Sequence, residues 1–79
     1  MVVSAYTLMR VEHSKLEKLA ANMKKMRFVK EVTPVYGEYD IIVKTETNSI
    51  EELNLFIYNE LRKIRGLTAT TTMITLRQK

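Results

Sequence analysis

Twice along this chain an extended segment gives way to a helical period at the same signal, a serine followed three residues later by a glutamate. The pairs are Ser14 with Glu17 and Ser49 with Glu52. Such a pair can satisfy two orphan N–H groups of a first helical turn reciprocally. After the first signal, Leu16, Leu19, Ala20, Met23 and Met26 recur at helical spacing. After the second come Ile50, Leu53, Phe56 or Ile57, Leu61 and Ile64. Strand-forming composition flanks both helices, over residues 2–11, 28–36, 39–46 and 67–76. The echo reaches further, since Met26-Arg27-Phe28-Val29 is answered by Ile64-Arg65-Gly66-Leu67. The order is therefore βαββαβ. It predicts an α+β, ferredoxin-like fold: a four-stranded antiparallel sheet with both helices on one face. With 79 residues, one domain spanning 1–79 accounts for the chain.

The stretch VYGEYDIIV, residues 35–43, reads as a hairpin turning at Gly37-Glu38. A two-residue loop with glycine first suits a type II′ turn. The register then pairs Tyr36 with Tyr39, Pro34 with Ile41, Val32 with Val43 and Glu31 with Lys44. The last is a favourable opposite-charge pair across the ladder. The only proline, Pro34, falls on the second strand, which this fold places at a sheet edge, where a missing donor is tolerated. Val32, Ile41 and Val43 should lie under the helices. Val29, Glu31, Val35, Asp40, Ile42 and Lys44 should lie on the opposite face.

That opposite face is too apolar to stay wet. In the outer segments Tyr6 and Leu8 alternate with Ala5, Thr7 and Met9, and Ile74 and Leu76 alternate with Ala69, Thr71 and Met73. A sheet with helices on one side only should alternate apolar and polar cleanly. A domain this small buries only about 60% of its unfolded surface, so a second copy is expected to cover the open face.

Several chemistries are excluded by supply. There is no cysteine and one histidine, His13, so a disulfide framework or a transition-metal centre has no ligands, and no cofactor is expected. Gly37 and Gly66 are too few for a glycine-rich phosphate loop. No apolar run approaches the ~18 residues of a membrane span and no signal peptide opens the chain, so a cytoplasmic protein is expected. The net charge of +4 gathers at Lys24-Lys25-Arg27 and Arg62-Lys63-Arg65, where cations complement helix C-termini. RNA-binding domains of the same βαββαβ order stack bases on central-strand aromatics. Here those strands supply only Tyr6 and Tyr39.

Two features are left over. Asp40 is a lone carboxylate beside a turn among apolar and aromatic neighbours, and aspartate is depleted from strands. It either makes an Asx-type bond within the turn or meets a ligand's ammonium group, with turn amides and a threonine hydroxyl receiving the ligand's carboxylate. The second feature is the run Thr68, Thr70, Thr71, Thr72, which β propensity largely explains.

At this point the chain resembles a known family. FVKEV, VYGEYDIIVKTE and IRGLTATTTMITL together resemble the effector-binding RAM domain of the Lrp/AsnC transcription regulators, over essentially all 79 residues. Family regulators carry a helix-turn-helix ahead of this domain, whereas this chain begins at the first strand, as a stand-alone RAM protein does. The resemblance implies dimers formed by packing two sheets face to face, assembled into octamers or larger rings. It implies an amino-acid effector bound between dimers near the Gly-x-Tyr-Asp turn. Gly37, Tyr39 and Asp40 would then be ligand-site residues, joined by Thr70 and Thr72. It further implies hetero-assembly with full-length regulators, no direct DNA binding and no enzymatic activity. A rival class is a small dimeric α/β-barrel enzyme of the monooxygenase or isomerase type. It would need a polar-lined pocket under the helices, for which the chain offers Asn22 and Asn54.

Overall fold

A computed structural model describes residues 2–75. Strand β1 (Val3–Val11) leads through a 3-10 turn (His13–Lys15) into helix α1 (Leu16–Lys24). Strands β2 (Val29–Pro34) and β3 (Ile41–Thr47) follow. Helix α2 (Ile50–Phe56) runs on into a π-helical segment (Ile57–Leu61), and β4 (Leu67–Ile74) closes the sheet. Leu76, expected at the end of the last strand, lies outside the described residues. The sheet is antiparallel in the order β2-β3-β1-β4, which is the ferredoxin-like arrangement.

Pro34 sits on edge strand β2, and the hairpin register is the expected one: Pro34 faces Ile41, Val32 faces Val43 and Glu31 faces Lys44. Two details differ. The register shifts between Val29 and Glu31, so Val29 pairs with Thr45 and joins the helix side instead of the open side. Lys30 is the extra residue of this bulge; one inserted residue reverses the facing of everything before it. The turn is also wider than a two-residue loop. Gly37 has φ 155, far from the roughly +60° a II′ turn needs, and the Val35 N–H donates to the Asp40 carbonyl at 2.8 Å to close the loop.

Helix α1 buries Leu19, Ala20 and Met23, with Leu16 and Met26 packed at the margin of the core. The Ser14 cap does not form. Residues 13–15 tighten into the 3-10 turn, in which the Lys15 N–H donates to the Glu12 carbonyl at 2.9 Å and no side chain caps the helix. The second cap does form: the Glu52 N–H donates to Ser49 Oγ at 3.1 Å, while Glu52 Oε1 accepts from the Asn48 N–H at 2.9 Å. The π-helical segment solves a spacing problem. Phe56 and Leu61 are both buried although five residues apart, and the wider turn points both inward where an α turn would have offered Glu60. Phe56 meets Phe28 edge-on, with ring centroids 5.3 Å apart. Beneath the helices lie Ala5, Met9, Val32, Ile41 and Val43.

The other face of the sheet carries no helix. The ladder places Tyr6 opposite Lys44 and Met73, Leu8 opposite Ile42 and Thr71, and Arg10 opposite Ala69. Tyr6, Leu8 and Ile42 are half-buried by their neighbours alone, and Met73 is exposed. Lys44 is held on this face by Glu46 at 3.7 Å and by the Tyr6 ring.

Candidate functional site

The Gly37–Asp40 loop is moored to the far end of β1. The β1–β3 ladder runs only as far as Met9 and Ile41. Beyond it the Asp40 N–H donates to the Met9 carbonyl at 2.8 Å, and Asp40 Oδ2 accepts from the Val11 N–H at 2.9 Å. The carboxylate thus stands in where a longer ladder would have offered a backbone carbonyl. This is not the Asx-type bond expected within the turn: the bond reaches across the sheet instead. Among the described residues, no group donates to the second carboxylate oxygen, Oδ1.

Tyr39 extends over the open face. Its hydroxyl lies 3.3 Å from Thr71 Oγ1, and the Arg10 guanidinium carbon sits 5.8 Å from its ring centroid. Gly37 is exposed at the loop tip, with nothing near the place a Cβ would occupy. Gly37, Tyr39 and Asp40 are therefore gathered at one corner of the sheet, together with Arg10 and Thr71.

Thr70 and Thr72 stand elsewhere. They face Met9 and Thr7 on the helix side of β4, where Thr72 Oγ1 is 3.0 Å from Thr7 Oγ1. Strand β4 makes little contact with either helix, so both threonines remain partly exposed. Strand alternation explains why Thr71, and not its neighbours, reaches Tyr39. Arg10 had a signal in the sequence, since it is the only charged residue within 2–11.

The pronounced grooves of the single chain lie away from this corner. One runs between α1 and the segment before β4, lined by Lys15, Lys18, Leu19, Asn22, Ile64 and Arg65. Another lies on the outer side of α2 beside Leu55 and Tyr58. Asn22 and Asn54 are exposed and line no pocket beneath the helices. Among the described residues no group of three or more His, Asp or Glu side chains is placed to hold a metal ion. No described helix is long and apolar enough to cross a membrane.

Comparisons with known proteins show the family of this chain. The model of the Lrp/AsnC ligand binding domain matches residues 4–79. HTH-type transcriptional regulator FL11 of Pyrococcus abyssi is 37% identical over 73 residues, covering 92% of this chain and 48% of that protein. The crystal structure of FFRP-DM1 superposes with a TM-score of 0.89 at 39% identity, covering 94% of this chain and 99% of that one. A part of homocitrate synthase from Sulfurisphaera tokodaii is also similar, 42% identical over 50 residues, covering 63% of this chain and 11% of the enzyme. This chain spans about half the length of the curated regulators it matches. It belongs to the Lrp/AsnC family, whose ligand binding domain it carries over residues 4–79.

Proposed function

We propose that this chain is an effector-binding module of transcriptional regulation, and that its effector is an amino acid held at the Gly37–Tyr39–Asp40 corner. The observation that carries the proposal is the mooring of Asp40. One carboxylate oxygen is spent on the Val11 N–H, which fixes the group in place, while the other has no donor among the described residues. A preoriented carboxylate with a vacant oxygen suits a ligand ammonium group. The corner is a rim rather than a pocket in the single chain, so a neighbouring copy supplies the remaining wall. Homodimers form through the open face of Tyr6, Leu8, Ile42 and Met73, and dimers assemble to octamers or larger rings. Thr70 and Thr72, on the far face of edge strand β4, contact an effector only where a neighbouring copy's corner approaches that edge.

The recurrence of similar sequence in a transcriptional regulator and in a synthase supports control by a small molecule as the common element, since direct DNA contact is not what those two proteins share. Regulation then proceeds by co-assembly with full-length Lrp/AsnC regulators, with no DNA contact by this chain itself. A thermal-shift screen against the common L-amino acids tests the proposal. An amino acid present at 100 times its Kd should stabilise the assembly by about 2.7 kcal/mol. No shift from any of them at millimolar concentration contradicts it.

A further inference from the structure

We infer that Arg10 recognises the carboxylate of the effector and restricts the corner to ligands that carry an anion beside their cation. This inference rests on an effector binding at Asp40. Arg10 ends the open face of β1 next to Val11, whose N–H holds the Asp40 carboxylate. Arg10 also approaches the ring of Tyr39, the residue before Asp40, so two opposite charges belong to the same corner. They nevertheless form no ion pair. Among the described residues the ion pairs are Lys15 with Glu12 and Lys44 with Glu46. The second accounts for Lys44, the other cation beside Arg10 on the open face of the inner strands. The Arg10 guanidinium leans instead over the Tyr39 ring. Among the described residues no hydrogen bond or ion pair engages its N–H groups, so the planar fork of donors is available. The hydroxyls of Tyr39 and Thr71 lie on the same face of the sheet, 3.3 Å from each other.

An α-amino acid presents an ammonium and a carboxylate on one carbon. Asp40 and Arg10, which share this corner without forming an ion pair with each other, supply the complementary charges. The carboxylate of such a ligand would receive the guanidinium N–H groups as charge-assisted, bidentate bonds, with a hydroxyl of Tyr39 or Thr71 as a third donor. A simple amine would satisfy Asp40 and leave Arg10 unanswered. A simple acid would do the reverse.

The test uses the assembled protein and two probes: the common L-amino acid giving the largest thermal shift, and the α-carboxamide of that same amino acid. Calorimetry on the wild type should show the carboxamide binding at least ~10-fold more weakly. Arg10→Gln should lose about 10- to 100-fold for the amino acid and less than about 3-fold for the carboxamide. Arg10→Lys keeps the charge without the planar fork. It should bind both probes somewhat more weakly while still preferring the amino acid. Light scattering on each variant verifies the assembly, and if Arg10→Gln fails to assemble, the Lys variant's preference decides.

Equal losses for the two probes would make Arg10 a support for the Tyr39 ring and overturn the inference while leaving the amino-acid site intact. Wild-type affinity in Arg10→Gln overturns it likewise. Failure of every amino acid to bind the wild type would overturn the amino-acid site itself, and the role of Arg10 with it.

Discussion

The carboxylate of Asp40 reaches 29 positions back along the chain to accept the Val11 N–H at 2.9 Å. Together with the bond from the Asp40 N–H to the Met9 carbonyl, this contact fastens the β2–β3 loop to the end of a central strand and gives the aspartate a structural duty distinct from ligand recognition. Replacing Asp40 with alanine strands a partly buried donor. We expect Asp40→Ala to cost about 1–3 kcal/mol of folding stability, measured by urea titration. A loss below about 0.5 kcal/mol would mean the bond is dispensable.

Thr45 lies on the helix-side face of β3, opposite Ala5 and Val29, fully buried and, among the described residues, with no hydrogen-bond partner for its hydroxyl. An unpaired buried hydroxyl is a standing cost. The nearly isosteric Thr45→Val should raise stability by about 1 kcal/mol. Thermal unfolding of the two proteins at equal concentration measures it, and destabilisation would reveal a partner for that hydroxyl, such as a trapped water.

Ile42 and Leu8 face one another on the helix-free side of the sheet, flanked by Thr33 and Thr71. If a second copy covers them, a charge placed there must be desolvated on assembly. Wild-type protein should scatter as a dimer or larger at micromolar concentration, and Ile42→Glu should scatter near the 9.2 kDa of one chain. A wild-type monomer would mean that the open face is tolerated in water.

The two basic runs sit at the ends of different helical segments. Lys24 and Lys25 close α1 beside Arg27, which lies over the Phe28 ring, while Arg62 lies over Tyr58 after the π-helical segment. Mobility shift on duplex DNA at physiological salt should accordingly give no complex tighter than about 1 μM, the tight end of non-specific binding. A tighter complex would mean that the basic residues together form a phosphate-contacting surface.

What the sequence makes legible is local or periodic. The stripe of α1 follows from side-chain spacing, as does that of α2 from Leu53 onward, although Ile50 at its start is exposed, and the β2–β3 register follows from alternation on either side of the Gly37 turn. Pro34 marks its own edge. What escapes is either a one-residue irregularity or a partner distant in sequence. Nothing in Lys30-Glu31-Val32 distinguishes a bulged strand from a straight one, so Val29 was expected on the wrong face. Ser14 and Glu17 have the spacing of a cap, yet the 3-10 turn gives the nearby backbone another way to be satisfied. The Gly-x-Tyr-Asp corner was visible as a motif. Of its neighbours, Arg10 stands out only as the lone charge within 2–11 and Thr71 not at all, because they join the corner only through the pairing of β1 with both β3 and β4.

The central claim is that the charge of Asp40, beyond its bond to Val11, receives an amino acid's ammonium group. Asparagine separates the two duties, since its side-chain oxygen can still accept from the Val11 N–H while the negative charge is gone. Calorimetry of wild type and Asp40→Asn, each with the best amino acid from the screen, tests the claim most directly. We predict unchanged assembly, stability within about 1 kcal/mol, and an affinity loss of about 2–5 kcal/mol, the usual cost of breaking a buried charge pair. Equal affinities for the two proteins would contradict the claim and leave Asp40 as the fastener of a loop.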